Sequence, residues 1–204
     1  MTPRSLSSAG GVRDIAGVLL AAGVGTRFGG DKLMHLLTDG RPMAVAAAQS
    51  LVQAVPRAIA VVRPCNDALA AALVHAGLEV TICPDAYEGM GVSLAHAVRA
   101  TADAAGWVIA LADMPFVHPD TIRAVAARLA AGAALSAPSV SGTRGHPVGI
   151  SARYREELAA LRGDTGARAI LERDAAQVAL VPVDDPGALR DIDTPADLAP
   201  AAPG

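Results

Sequence analysis

What most limits the fold of this chain is a regular alternation of short apolar runs with helix-like segments. The runs are Ile15–Ala22, Arg57–Arg63, Leu78–Cys83, Trp107–Ala112, Ala134–Ala137, Pro147–Ser151 and Val178–Val183. Most are continuously apolar, as strands covered on both faces must be. Between them lie segments with helix signals. Pro42–Val55 is one. Asn66 can cap Asp67–Ala76, with Gly77 at the C′ position. Gly91–Ala105 follows, then Asp120–Ala131, opened by Pro119 and closed by Gly132. Asp164 or Thr165 can cap Gly166–Asp174. Strand, helix, strand, repeated, predicts a three-layer α/β sandwich on a mostly parallel central sheet. Only 2% of residues are aromatic against 52% hydrophobic, so its core must be built from Ala, Val, Leu and Ile.

A length of 204 residues fits one domain, expected over 14–198. Residues 1–13 are Ser/Gly-rich and expected to be a disordered tail, and 199–204 a frayed one. The net charge of −3 comes without a basic block. That argues against a nucleic-acid footprint, and so few aromatics make no base-stacking platform. Cys65 and Cys83 have no metal-ligand spacing and read as buried thiols in a reducing cytoplasm. Ile15–Gly25 has the look of a signal-peptide core. It is short, broken by Gly17 and Gly23, and followed by Arg27 and Lys32, which suits a buried strand better. No segment approaches the ~18 apolar residues of a membrane span.

In sheets of this kind ligands bind beyond the carboxyl ends of the strands. After the first strand comes the loop Gly23–Lys32, with four glycines and two cations. Such a loop brings backbone N–H groups close to an anion. Gly25 and Gly30 have the spacing of a phosphate-binding P-loop, but Asp31 stands where that motif needs Lys. Gly23 and Gly25 begin a dinucleotide fingerprint, but Phe28 occupies the third glycine position. No acidic residue ends the second strand to take a ribose. A nucleotide-dependent dehydrogenase is therefore the weaker reading.

The stretch LAAGVGTRFGGDK, Leu20 to Lys32, closely resembles the signature of the MobA-like nucleotidyltransferases. GMGVSL (Gly89–Leu94), LADMP (Leu111–Pro115), GHP (Gly145–Pro147), GDTGAR (Gly163–Arg168) and DIDTP (Asp191–Pro195) follow in the order found in the molybdenum cofactor cytidylyltransferase branch. The resemblance spans about Ile15 to Leu198. Ala22 matches that branch, whereas guanylyl relatives tend to carry glycine there.

The resemblance implies a Rossmann-like fold and transfer of CMP from CTP to the terminal phosphate of molybdopterin, releasing pyrophosphate. It implies that Leu20, Ala21, Ala22, Gly23, Gly25, Arg27 and Lys32 wrap the nucleotide, with Ser93 at the base or acceptor. Arg27 and Lys32 would neutralise the triphosphate. Asp113 and Asp193 would hold Mg²⁺. For Asp113 there is a physical reason as well: a carboxylate at the end of a buried strand is costly unless paired or metal-bound. His146 and Arg168 are the candidates for the acceptor. Asp191 reads as structural, and Asp85 as either a ribose neighbour or a loop residue. The implied partners are CTP or GTP, a molybdopterin-type acceptor and a molybdoenzyme or its chaperone, with no nucleic acid and no membrane. Three rivals remain open at this stage: guanylyl or sugar/alcohol-phosphate transfer on the same fold, the dehydrogenase, and a non-catalytic carrier of the cofactor.

Overall fold

The computed structural model describes residues 15–23, 25, 28 and 31–198. Both expected tails, and Arg27, lie outside the described residues. Within them the elements run β1 (Ile15–Leu20), α1 (Met43–Ala54), β2 (Arg57–Val62), α2 (Asp67–His75), β3 (Glu79–Ile82), α3 (Met90–Ala100), β4 (Gly106–Leu111) and α4 (Pro119–Ala130). Then come β5 (Leu135–Val140), β6 (Thr143–Arg144), β7 (Val148–Ser151), α5 (Arg155–Ala159), α6 (Arg168–Arg173) and β8 (Val178–Pro182). One sheet runs in the order β3-β2-β1-β4-β7-β5-β6, with β8 pairing β5. Strands β3, β2, β1 and β4 are parallel, β7 is antiparallel to both β4 and β5, and β8 is parallel to β5. This is a Rossmann-like, mostly parallel α/β sandwich.

Alternation along the strands builds two cores. On β4, Val108 and Ala110 face α1, α2 and α4, while Trp107 and Ile109 face α3, α5 and α6. Gly17 lets β1 lie against α1, because a Cβ there would meet Val55 and Leu51 at 2.7 and 2.9 Å. The lone Trp is fully buried, and its indole N–H donates to Thr101 Oγ1 at 2.8 Å. Thr101 in turn donates to the Ala97 carbonyl, which closes α3 at Ala100 rather than at the expected Ala105.

All seven apolar runs form strands. Gly77 and Gly132 sit at helix ends with φ of +99° and +97°, as C′ glycines do. Several details differ from expectation. Cys65 is exposed, because it lies in the turn after β2 rather than in a strand; Cys83 is buried. Asn66 makes no side-chain cap bond to α2. The last α-helix starts at Arg168 with Ala167 at its cap, so neither Asp164 nor Thr165 caps it. Strand β6 and helix α5 have no counterpart among the expected elements. β6 is two residues long, and α5 buries only Leu158, so neither leaves a periodic pattern.

Candidate functional site

The chain turns away from the sheet at the carboxyl end of β1. The Ala21 amide makes one last sheet-like bond, to the Val61 carbonyl, and Ala21 is fully buried. Gly25 has φ of +62°, a left-handed conformation that favours glycine. Phe28 packs below the loop with Met43, Ala46 and Ile192, and so anchors it to α1. Just beyond the neighbouring strand β2, Arg63 donates to the Gly23 carbonyl at 2.7 Å. A Cβ on Gly23 would meet nothing within 4 Å. The fold itself does not require glycine there, whereas a ligand pressed against the backbone would.

Lys32 opens the short turn after this loop. Its side chain is only 8% exposed, and Nζ donates to Asp113 Oδ2 at 2.9 Å and to Asp193 Oδ1 at 3.1 Å. Burial pushes this ammonium down, but the hydrogen bonds and charges of Asp113, then of Asp193, outweigh it and hold it above its ordinary value. Asp113 follows β4. Its carbonyl accepts from the Ile192 amide at 3.0 Å, which brings the Asp191–Pro195 segment alongside. Asp193 is then fixed by Asp197, whose carboxylate accepts from the Asp193 and Thr194 amides and the Thr194 hydroxyl. The Thr194 hydroxyl and amide lead in holding the Asp197 carboxyl below the usual range.

A second wall comes from two glycine motifs docked on each other. The Gly91 amide donates to the Gly163 carbonyl at 2.7 Å. A Cβ on Gly89 would collide with Asp164 and the Gly163 backbone, and Gly89 has φ of +127°. The start of α3 and the loop 162–166 therefore form one unit.

These parts enclose a cavity of about 380 Å³. Leu20, Ala22, Gly23, Gly25, Lys32, Ser93, Asp113 and Asp193 line it, and all were expected at the site. Asp31, Leu33, Ala86, Tyr87, Gly89, Met90, Leu111 and Asp164 line it too. Of these, Tyr87 and Met90 carry exposed side chains at its rim. Sequence reasoning singled out neither Tyr87 nor Asp31, since an isolated loop residue carries no pattern.

His146 and Arg168 lie elsewhere. The Gly145 backbone packs against the Ala188 carbonyl, which also accepts from the His146 amide at 2.8 Å. The His146 ring borders a separate small cleft with Ala47, Ser50, Met114 and Ile122. Its Nδ1 is buried with no partner among the described residues. Burial lowers its pKa, and Arg144 adds to this, while Asp113 and Asp191 oppose it. Arg168 is exposed and pairs with Glu172 one turn on, at 2.6 Å. The side chain expected at the acceptor thus lies outside the residues that line the cavity. Ala21 is likewise too deeply buried to touch a ligand through its side chain.

The two carboxylates suit a hard divalent cation. Both are oxygen donors, and both already converge on one positive charge. Among the described residues no three His, Cys, Asp or Glu side chains gather as metal ligands. Such a cation would draw its other ligands from phosphate and water, the usual habit of Mg²⁺. Among the same residues no helix is long and apolar enough to cross a membrane.

Comparison with known proteins gives a consistent picture. The family model for the MobA-like NTP transferase domain matches residues 17–180. A curated relative, nicotine blue oxidoreductase of Paenarthrobacter nicotinovorans, is 30% identical over 88% of this chain and 92% of its own length. The crystal structure of Rv0371c from Mycobacterium tuberculosis H37Rv is 29% identical, with a TM-score of 0.79, over 90% of this chain and 94% of that one. The same protein has been solved in complex with manganese, at 28% identity, a TM-score of 0.75, and coverage of 90% and 95%. Divalent metal therefore accompanies this fold in a similar protein. The glycine loop, the cavity behind it and the matched stretch from β1 into β8 lead to one assignment: this chain belongs to the MobA-like NTP transferase domain family.

Proposed function

We propose that the chain transfers CMP from CTP to the terminal phosphate of a molybdopterin-type acceptor. The observation that carries this reading is the convergence of Lys32, Asp113 and Asp193 in a cavity that Gly23 and Gly25 also line. In the reaction an acceptor phosphate oxygen bonds to the α-phosphorus, and the bond from that phosphorus to the departing pyrophosphate breaks. The attacking oxygen is already ionised at pH 7, so no general base is needed. The task is to hold two polyanions together and to receive charge on the leaving group.

The amides around Gly23 and Gly25 would lie against the triphosphate, with Arg63 keeping the Gly23 peptide in place. Lys32 would neutralise phosphate charge, as would Arg27. Asp113 and Asp193 would hold Mg²⁺, which when bound withdraws charge from phosphate oxygens. Ser93, at the start of α3, would stand beside the base or acceptor. Because His146 and Arg168 do not line the cavity, we assign the acceptor to the rim formed by Tyr87, Met90 and Asp164. Ala22, by its resemblance to the cytidylyl branch, favours CTP over GTP, and a molybdoenzyme or its chaperone would take the product.

Pyrophosphate release with each of the four nucleoside triphosphates, with and without molybdenum cofactor, tests this directly. A CTP-selective, acceptor-dependent signal is expected. Asp113→Asn should keep the fold by circular dichroism and lose about 10²-fold or more in turnover. Near-wild-type turnover at saturating Mg²⁺ would remove Asp113 from the mechanism.

A second reading draws on the relative named nicotine blue oxidoreductase. The same loop would then hold the pyrophosphate of a dinucleotide. Oxidation of NADH or NADPH in the presence of a conjugated acceptor, without pyrophosphate release, would favour it.

A further inference from the structure

We propose that Lys32 and the divalent cation are alternative occupants of the same two carboxylates, so that a nucleotide opens the metal site by drawing Lys32 onto its phosphates. This rests on the metal assignment made for the proposed function. Nζ of Lys32 sits between Asp113 and Asp193 at hydrogen-bond distance from an oxygen of each. Mg²⁺ on either oxygen of these carboxylates would sit about 2.0–2.1 Å from it, and so within a few ångströms of the ammonium. A divalent ion and an ammonium cannot share them so closely, because their mutual repulsion is large in a partly dry site.

The charges point the same way. Lys32, only 8% exposed, already neutralises part of the charge of the two carboxylates, so a divalent ion placed beside it would meet a weaker negative field than with the ammonium moved away. Asp113 and Asp193 are more open, at 28% and 47%, so a cation from the cavity can reach them. The lysine has somewhere to go. It lines the same cavity as Gly23 and Gly25, and its flexible stem lets the ammonium swing toward an anion there. Phosphate binding and metal binding then each remove an obstacle to the other, and such coupling is reciprocal.

Phosphate oxygens also ligate metal directly, so the contribution of Lys32 must be isolated without nucleotide. The probe is Mn²⁺, followed by the electron paramagnetic resonance signal of the free ion, on the full chain. Lys32→Met should bind Mn²⁺ about tenfold more tightly than wild type. Lys32→Arg keeps the positive charge and should stay near wild type. Adding Asp113→Asn to Lys32→Met should abolish the gain. Lys32→Gln, which leaves a polar tip between the carboxylates, repeats the measurement should the Met variant fold poorly by circular dichroism.

Equal or weaker Mn²⁺ binding by the folded neutral variants would overturn the proposal. If wild type binds Mn²⁺ through Asp113 when CTP is present, yet removing Lys32 brings no gain, only the competition fails. If Mn²⁺ binds neither wild type nor variant, even with CTP, the metal assignment falls with it.

Discussion

Asp185 is a buried carboxylate at the join between the start of α4 and the C-terminal segment, and its removal should be among the more damaging single changes in the chain. It is 3% exposed. Its Oδ2 accepts from the His118 amide at 2.9 Å and from the Thr121 hydroxyl at 2.6 Å, and its Oδ1 from the Gly187 amide at 3.1 Å. His118 and Thr121 begin α4, so the carboxylate also meets the positive end of that helix dipole. Asp185→Ala orphans three donors in a site with little water. Each buried unsatisfied donor costs about 1–3 kcal/mol, and the Thr121 hydroxyl can rotate to recover part of its share, so the total should be about 3–5 kcal/mol. Against a typical stability of roughly 5–15 kcal/mol this is a large fraction. Asp185→Asn keeps one carbonyl oxygen and should cost about 1–3 kcal/mol. The neighbouring Asp184 is exposed, and Asp184→Ala should stay within about 0.5 kcal/mol of wild type. Urea unfolding at pH 7 reads these differences as midpoint shifts at unchanged slope. A loss below about 1 kcal/mol for Asp185→Ala would refute the claim that this carboxylate ties α4 to the C-terminal segment.

Two further changes separate ligand effects from folding effects. Gly23→Ala adds a methyl where no atom lies within 4 Å, so urea unfolding should move by less than about 1 kcal/mol while CTP affinity, measured by calorimetry, falls at least about tenfold. Unchanged CTP affinity would mean that no ligand presses on that backbone. His146 should make stability pH-dependent: its folded pKa is depressed, so the unfolded chain takes up the proton first as pH falls. That contribution is complete above the unfolded value of about 6.5 and is lost as pH falls through the lower folded value. His146→Gln should flatten the stability difference between pH 7.5 and 5.5, and an imidazole titrating at or above its ordinary value by NMR would contradict the burial argument.

How much of this was legible in the sequence depends on whether the physical cause was local. The buried strands were legible because both faces are covered, which makes their apolar runs continuous. Asp113 was legible for a related reason, as a carboxylate ending such a run. Asp193 was reached only through resemblance, since what places it is the Ile192 amide bonding to the Asp113 carbonyl across the fold. Asp185 and Asp197 escaped notice altogether. The main partners of Asp185 lie 67 and 64 positions away. Asp197 looks locally like any acid in a short helical turn. Likewise, the acceptor roles expected of His146 and Arg168 rested on motif position, which says nothing about the direction of a side chain.

The glycine motifs make the distinction sharper. In sequence, GMGVSL, GDTGAR and the loop after β1 look alike: small residues strung around one or two polar ones, each suggestive of a ligand. In the fold they divide. Gly89 and Gly91 are required by the chain itself, because the backbone of 162–163 and the Asp164 carboxylate lie where their side chains would be. Gly145 is required in the same way by the Ala188 carbonyl. These glycines would be needed whether or not anything ever bound. Gly23 is different: it has an ordinary backbone and open space where its Cβ would be, yet the loop is pinned there by Arg63. A position kept bare on the cavity side, and held still from behind, has no use in packing. Among the described residues it is a glycine whose smallness faces the cavity beside Lys32.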